Sequence, residues 1–106
     1  MPQTYKTITR KIKKAVEEID STAEVILYGS RARGDARKDS DWDILILLNK
    51  PKVSFKDEQV FNHKLNEIGL ETDQCIMAYV HSKKEWETKH YVTPLYKNIQ
   101  KEGIII

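Results

Sequence analysis

The chain has 106 residues, a length that predicts one domain over residues 1–106 with a single modest core. Its 40% hydrophobic and 32% charged residues are typical of globular proteins, and a formal net charge of +2 is too small to indicate nucleic-acid binding. The single cysteine, Cys75, excludes an internal disulfide and favours a reducing cytoplasm. Because the chain has no signal-peptide core and no run near the roughly 20 apolar residues of a membrane span, we expect a cytoplasmic protein without a membrane segment.

The first predicted element is an amphipathic helix that ends near Asp20. Its apolar residues recur at helical spacing, with Lys and Glu between them: Ile8, Ile12, Ala15, Val16 and Ile19. We interpret the basic residues at positions 10–14 as the solvated face of this helix rather than an RNA site, so nucleic acid is not an expected partner. A strand rich in Val, Ile and Leu follows at Glu24–Tyr28 and leads directly into Gly29 and Ser30.

The most strongly predicted strand is Asp41–Leu48. The preceding residues 33–40 are polar, contain Gly34 and lack apolar periodicity, which indicates a loop. The strand has apolar residues on both faces, as expected of a central strand that is covered on both sides. Alternation of side chains along the strand places Asp41 and Asp43 on one face.

The second half of the chain predicts helices around a third strand. Ser54 is typical of a helix N-cap, and Gly69 is typical of the C-terminal cap of the same helix. The third strand is predicted at Thr72–Val80, with Asp73 near its start.

Two shorter helices are predicted after Ser82 and after Thr93, the second with Pro94 at its first position. The apolar terminus at residues 104–106 leaves two alternatives open, an edge strand or a docking site, and it favours a homo-oligomer only weakly. The order of the elements predicts an α/β (α+β) fold, in which a small mixed sheet is flanked by helices.

Asp41 and Asp43 are candidate ligands of a metal ion. Two carboxylates held close together repel each other in an apolar setting, and a divalent cation removes that repulsion. Mg²⁺ prefers oxygen ligands, commonly one or two carboxylates completed by waters and substrate phosphates. Asp73 is the candidate for a third carboxylate, which would bind a second metal ion or accept the proton of an attacking hydroxyl. The alternative for Asp73 is a solvent-facing position at the start of a strand.

The turn at Gly29 and Ser30 is a candidate phosphate-binding site. Glycine lets backbone amides approach a phosphate closely, and the serine hydroxyl adds a donor. Arg31 and Arg33 offer bidentate contacts to phosphate oxygens. Ion pairing with neighbouring aspartates on the surface is the alternative interpretation of both arginines.

These motifs resemble the nucleotidyltransferase superfamily related to DNA polymerase beta, and most closely its minimal nucleotidyltransferase (MNT) domains. That family has a Gly-Ser turn, an Asp-x-Asp on the following strand and a third Asp on a later strand. The matching residues here are Gly29-Ser30, Asp41-Trp42-Asp43 and Asp73. The likeness spans residues 7–80 in element order, is sharpest over 29–48, and implies a fold like the polymerase beta palm.

The resemblance implies transfer of a nucleoside monophosphate, AMP from ATP in the leading interpretation, to a hydroxyl acceptor with release of pyrophosphate. In that reaction Asp41 and Asp43 would hold Mg²⁺, and Asp73 would complete an acidic triad. Gly29 and Ser30 would bind the triphosphate. Many MNT domains are paired with a HEPN-type helical toxin and adenylylate one of its tyrosines, so the resemblance implies such a partner here.

Two alternatives remain open from the sequence. One is a free-standing nucleotidyltransferase that acts on a small hydroxyl-bearing molecule, and the other is a module that binds nucleotide or partner without turnover. Since the 106 residues leave little length for an acceptor-binding domain, we expect an acceptor that is small or is presented by another protein.

Overall fold

The computed structural model describes residues 5–106, which form a four-stranded sheet with helices packed on both faces. In chain order the elements are α1 (Tyr5–Ile19), β1 (Glu24–Tyr28), α2 (Ser30–Arg33), β2 (Trp42–Leu48), α3 (Phe55–Thr72), β3 (Ile76–Ser82), α4 (Lys83–Thr88), α5 (Pro94–Glu102) and β4 (Ile104–Ile105). This architecture confirms the predicted mixed α/β class.

The sheet has the strand order β3-β2-β1-β4. β1 runs antiparallel to β2 and to β4, whereas β2 and β3 are parallel and are connected by the crossover helix α3. Asp43 on β2 is the register partner of Tyr28 on β1 and of Met77 on β3. Because register partners project to the same face, these three side chains share one face of the sheet.

The strand β2 is buried on both faces, as its sequence predicts. Ile44, Ile46 and Leu48 pack with residues of α1 and α3 in the larger core cluster. Leu45 and Leu47 belong to a smaller cluster on the opposite face, together with residues of α4 and α5. Asp43 lies on the face of Leu45 by alternation, so the acidic end of β2 opens onto the more thinly covered side of the sheet.

The end of α3 differs from its prediction. The helix continues to Thr72, and its C-terminal cap is Asp73, which has a left-handed backbone with φ of 57°. Gly69 lies inside the helix, where a Cβ would come 2.7 Å from the carbonyl oxygen of Gln74. This glycine is therefore required for the close return of the chain and not for ending the helix, and β3 begins only at Ile76.

The C-terminal alternatives are decided in favour of an edge strand. Ile104 and Ile105 pair with Leu27 and Ile26 of β1, and the backbone N–H of Ile106 donates to the carbonyl of Val25 at 3.0 Å. Within residues 5–106, no helix combines the length and the apolar character that a membrane span requires.

Candidate active site

The short helix α2 begins in a turn that lies against Asp43. Gly29 has φ of 78°, a conformation that favours glycine, and its carbonyl accepts hydrogen bonds from the backbone N–H groups of Ala32 and Arg33, both at 3.0 Å. A Cβ on Gly29 would overlap the carboxylate of Asp43. The predicted phosphate-binding turn and the predicted metal ligand are thus in direct contact, although 14 residues of sequence separate them.

The two predicted metal ligands influence each other. The pKa of Asp43 is raised above its ordinary value, mainly because the carboxyl group is partly buried and next because Asp41 carries a like charge nearby. Asp41 precedes β2 and accepts a hydrogen bond from the Cys75 thiol, which raises the pKa of that thiol. The structure therefore brings Asp41 and Asp43 together as an acidic pair.

A strip of exposed side chains continues from Asp43 along β3. Met77 is 45% exposed and Tyr79 is 49% exposed, and both lie on the face of Asp43. The pKa of the Tyr28 phenol is raised first by burial, next by the negative charge of Asp43 and last by the neighbouring Tyr79 phenol. No local pattern marks Tyr28, Met77 and Tyr79 as site residues, because alternation on a strand does not reveal which face remains uncovered.

Arg31 secures the loop that carries Asp41. Its guanidinium lies 4.6 Å from the ring centroid of Trp42, and its Nη2 donates to the carbonyls of Ser40 at 3.0 Å and Lys38 at 3.3 Å. The Trp42 indole N–H in turn donates to Gln74 at 2.9 Å. In the structure Arg31 therefore holds the segment before β2 against α2, and its buried Nε has no hydrogen-bond partner among residues 5–106.

Arg33 lies between two carboxylates. Its Nε donates to Asp35 and its Nη1 donates to Glu102, each at 3.1 Å. The pairing with Asp35 confirms one of the two interpretations that the sequence leaves open for this arginine. Glu102 was missed, because 69 residues separate it from Arg33 and no local pattern marks it.

Asp73 is not on a strand, which corrects its predicted position. It caps α3, and β3 itself contains no acidic residue; the β3 position beside Asp43 is occupied by Met77. Asp73 instead lines a cleft of about 720 Å³ that also includes Cys75, the hydrogen-bond partner of Asp41. Among residues 5–106, no three His, Cys, Asp or Glu side chains converge as a metal-binding group.

The acidic pair fits a divalent cation that is shared with a bound phosphate. Both ligands are carboxylate oxygens, and the pKa of Asp43 is raised first by burial and then by the like charge of Asp41, a repulsion that a cation would relieve. A dedicated protein cage would need more ligands than the described residues bring together. Mg²⁺ commonly binds through one or two carboxylates and completes its coordination with substrate phosphates and water, which matches this donor set.

Comparison with known proteins gives consistent matches over most of the chain. A family model described as a nucleotidyltransferase domain matches residues 9–106. A Methanocaldococcus jannaschii protein with the name "putative protein adenylyltransferase" is 35% identical over 78 residues, which cover 72% of this chain and 78% of the relative. The crystal structure of a "putative nucleotidyltransferase" from Sulfolobus solfataricus has a TM-score of 0.54 at 22% identity, over 94% of this chain and 82% of that one, and this likeness concerns the fold.

Proposed function

Since the chain belongs to the nucleotidyltransferase domain family and is a nucleotidyltransferase, we propose that it transfers AMP from ATP to a hydroxyl acceptor in a Mg²⁺-dependent reaction. The observation that carries this proposal is the contact between Gly29 and Asp43. It places a turn without a side chain, where backbone amides can reach phosphate oxygens, directly beside a carboxylate that can share a cation with those oxygens.

The acidic pair and the turn have separate parts in this proposal. Asp41 and Asp43 would hold Mg²⁺, which would neutralise charge on the triphosphate. Gly29 gives the phosphates room, and the Ser30 hydroxyl, which has no hydrogen-bond partner among residues 5–106, is available as a donor. Positioning and charge neutralisation of this kind account for most of the catalysis of phosphoryl-type transfer.

The two arginines contribute differently. The pKa of Asp43 is raised by burial and by Asp41, and the positive charge of nearby Arg33 offsets part of that rise. Arg33 is proposed to contact the triphosphate. Arg31 is engaged with Trp42 and with the carbonyl of Ser40, so its proposed contribution to nucleotide binding is to fix the shape of the turn and the loop.

The transfer step forms a bond between the acceptor oxygen and the α-phosphorus and breaks the bond from that phosphorus to the bridging oxygen. Pyrophosphate leaves, and the acceptor hydroxyl loses its proton. Asp73 is the proposed base that accepts this proton, because it lines the cleft that also includes Cys75, the hydrogen-bond partner of Asp41. Its proposed part is confined to the acceptor side and does not include the metal.

We propose a protein tyrosine as the acceptor, presented by a HEPN-type helical toxin for which this chain is the antitoxin. The relative from Methanocaldococcus jannaschii, whose name describes a protein adenylyltransferase, supports a protein acceptor. The exposed side chains of Met77 and Tyr79 next to Asp43 offer an apolar surface on which a partner's side chain could lie. The free thiol of Cys75 suits the reducing cytoplasm in which we place the reaction.

The test is incubation with labelled ATP and Mg²⁺, with and without the protein encoded beside this one, followed by intact mass measurement and detection of pyrophosphate. We expect the partner to gain one AMP, and we expect EDTA or Asp43→Asn to abolish the gain. Glu17→Gln, a change on the exposed face of α1, is the matched control that removes one negative charge elsewhere. ATP binding without transfer to any protein would redirect the search to a small-molecule acceptor or to a binding module.

A further inference from the structure

The C-terminal segment returns to the turn that begins α2. Pairing of β4 with β1 places Ile104 beside Leu27, so the residues just before β4 reach the end of β1 at Tyr28 and Gly29. Gly103 fits closely there, since a Cβ on it would come 2.9 Å from the Ile26 side chain and 3.1 Å from that of Ile99. Glu102, the last residue of α5, is held at this place by the strand that follows it.

Glu102 is the less exposed of the two carboxylates that bind Arg33. Its side chain is 19% exposed, whereas that of Asp35 is 61% exposed. Asp35 is also only two residues from Arg33 on a surface loop, where water screens an ion pair strongly. Glu102 comes from a different helix and fixes the guanidinium relative to the sheet.

Glu102 and Arg33 both lie close to the turn that is packed against Asp43. The backbone N–H of Arg33 donates to the carbonyl of Gly29 at 3.0 Å, and the Asp43 carboxylate leaves no room for a Cβ on Gly29. The ion pair between Arg33 and Glu102 therefore lies at the acidic end of β2, on the side of β1 away from β3.

The arginine retains free donors in this arrangement. A guanidinium has five N–H donors in a fixed planar fork. Glu102 occupies one hydrogen of Nη1 and Asp35 occupies Nε, so Nη2 is without a partner among residues 5–106. An arginine that is held by carboxylates at Nε and Nη1 and is free at Nη2 can donate hydrogen bonds from Nη2 to a phosphate oxygen.

We propose that Glu102 is a positioning residue, which orients the Arg33 guanidinium beside Asp43 so that its free edge receives the triphosphate of the bound nucleotide. This inference rests on the proposed function, because it concerns the nucleotide of that same site. It makes the end of α5 and the edge strand β4 parts of the active site.

The test is a double-mutant cycle between Glu102 and Arg33, read out as the dissociation constant of ATP without and with Mg²⁺. We expect Glu102→Gln to weaken ATP binding and to raise KM by about tenfold, with kcat changed by less than about twofold, because the interaction exists before chemistry. In an Arg33→Ala background the same change should have no further effect. Asp35→Asn, which alters the other partner of Arg33, is the matched control and should weaken binding by less than about twofold.

Three results obtained with the variants would overturn the proposal. The first is wild-type ATP affinity in Glu102→Gln, and the second is a loss that persists undiminished in the Arg33→Ala background. The third is a loss matched by a large decrease in the melting temperature of the nucleotide-free variant, with affinity restored on cooling, which would mean that Glu102 acts only on stability. If the wild type binds ATP but transfers AMP to nothing, the proposed function fails while the binding cycle still decides the role of Glu102. A wild type that binds no nucleoside triphosphate contradicts both.

Discussion

Gly29 and Asp43 are packed so closely that the turn has no room for a side chain at position 29. The register of β1 and β2 creates this contact, because Tyr28 pairs with Asp43 and the next residue of the chain must turn across the carboxylate. Any atom added at Gly29 would displace either the backbone of the turn or the carboxylate. In the mechanism that we propose, this one position would couple phosphate binding to metal binding.

Gly29→Ala should abolish transfer and weaken ATP binding by at least about tenfold, because the added methyl group displaces Asp43 and strains a backbone with φ of 78° and ψ of −160°, a conformation that favours glycine. Gly34→Ala is the matched control. Gly34 has a similar φ of 84°, but a Cβ there meets nothing within 4 Å. It should lower stability by about 1 kcal/mol through backbone strain while ATP affinity stays near that of the wild type. Equal affinity losses in the two variants would contradict the proposed contact.

Asp43→Asn should make the metal-free protein more stable while removing its activity. The pKa of Asp43 is raised in the folded state, chiefly by burial and then by Asp41, so the folded protein binds this proton more tightly than the unfolded chain does. The ionised carboxylate therefore destabilises the fold at neutral pH, and the destabilisation is lost as the pH falls through the raised pKa.

Thermal unfolding of both proteins in EDTA measures this effect. The variant should melt at a higher temperature than the wild type at neutral pH, and the difference should shrink as the pH approaches about 4, near the ordinary range of a carboxyl group. Adding Mg²⁺ and ATP should raise the melting temperature of the wild type and leave that of Asp43→Asn almost unchanged. A variant less stable than the wild type at neutral pH would show that Asp43 supports the fold.

Asp73→Asn tests the acceptor side of the site without disturbing the helix cap. Asparagine tolerates the left-handed backbone of this position, so α3 should still end correctly. If Asp73 takes the acceptor proton, kcat should fall by about a hundredfold while ATP affinity is retained. Asp41→Asn should instead lower the transfer rate and also make that rate less dependent on Mg²⁺. Wild-type kcat in Asp73→Asn would remove Asp73 from the mechanism.

Arg31→Lys should loosen the loop before β2. Lysine has no planar fork, so it cannot both lie over the Trp42 ring and donate to the carbonyls of Ser40 and Lys38. We expect faster proteolysis within residues 34–41, altered Trp42 fluorescence and a higher Mg²⁺ concentration at half-maximal activity, because Asp41 lies at the end of this loop. Lys13→Arg on the exposed face of α1 is the control. Unchanged proteolysis and Mg²⁺ dependence would show that the loop is held by other contacts.

The strands and helix caps that the sequence predicts most accurately are those whose defining residues lie within a few positions of one another. Glu24–Tyr28 is a strand with the predicted bounds, and Ser54 caps α3 as predicted, because its side chain accepts a hydrogen bond from the backbone N–H of Asp57. The acidic pair was also found in this way, because alternation on β2 is a local property. The predicted end of α3 at Gly69 was wrong, because the sequence does not distinguish a glycine required for close packing from a glycine required for a left-handed cap.

The sequence by itself determined the local chemistry of this protein: a glycine-serine turn, two carboxylates at the start of one strand, and the hydrophobic patterns that form the sheet. Only the tertiary structure decided which distant residues complete the site. Glu102 reaches Arg33 because β4 pairs with β1, and Met77 rather than an acidic residue lies beside Asp43 because β3 begins at Ile76. These contacts join residues that are far apart in the sequence, so forming them costs the entropy of closing long loops. The free energy of folding that offsets this cost comes from many weak contacts across the whole sheet, and no short stretch of sequence contains it.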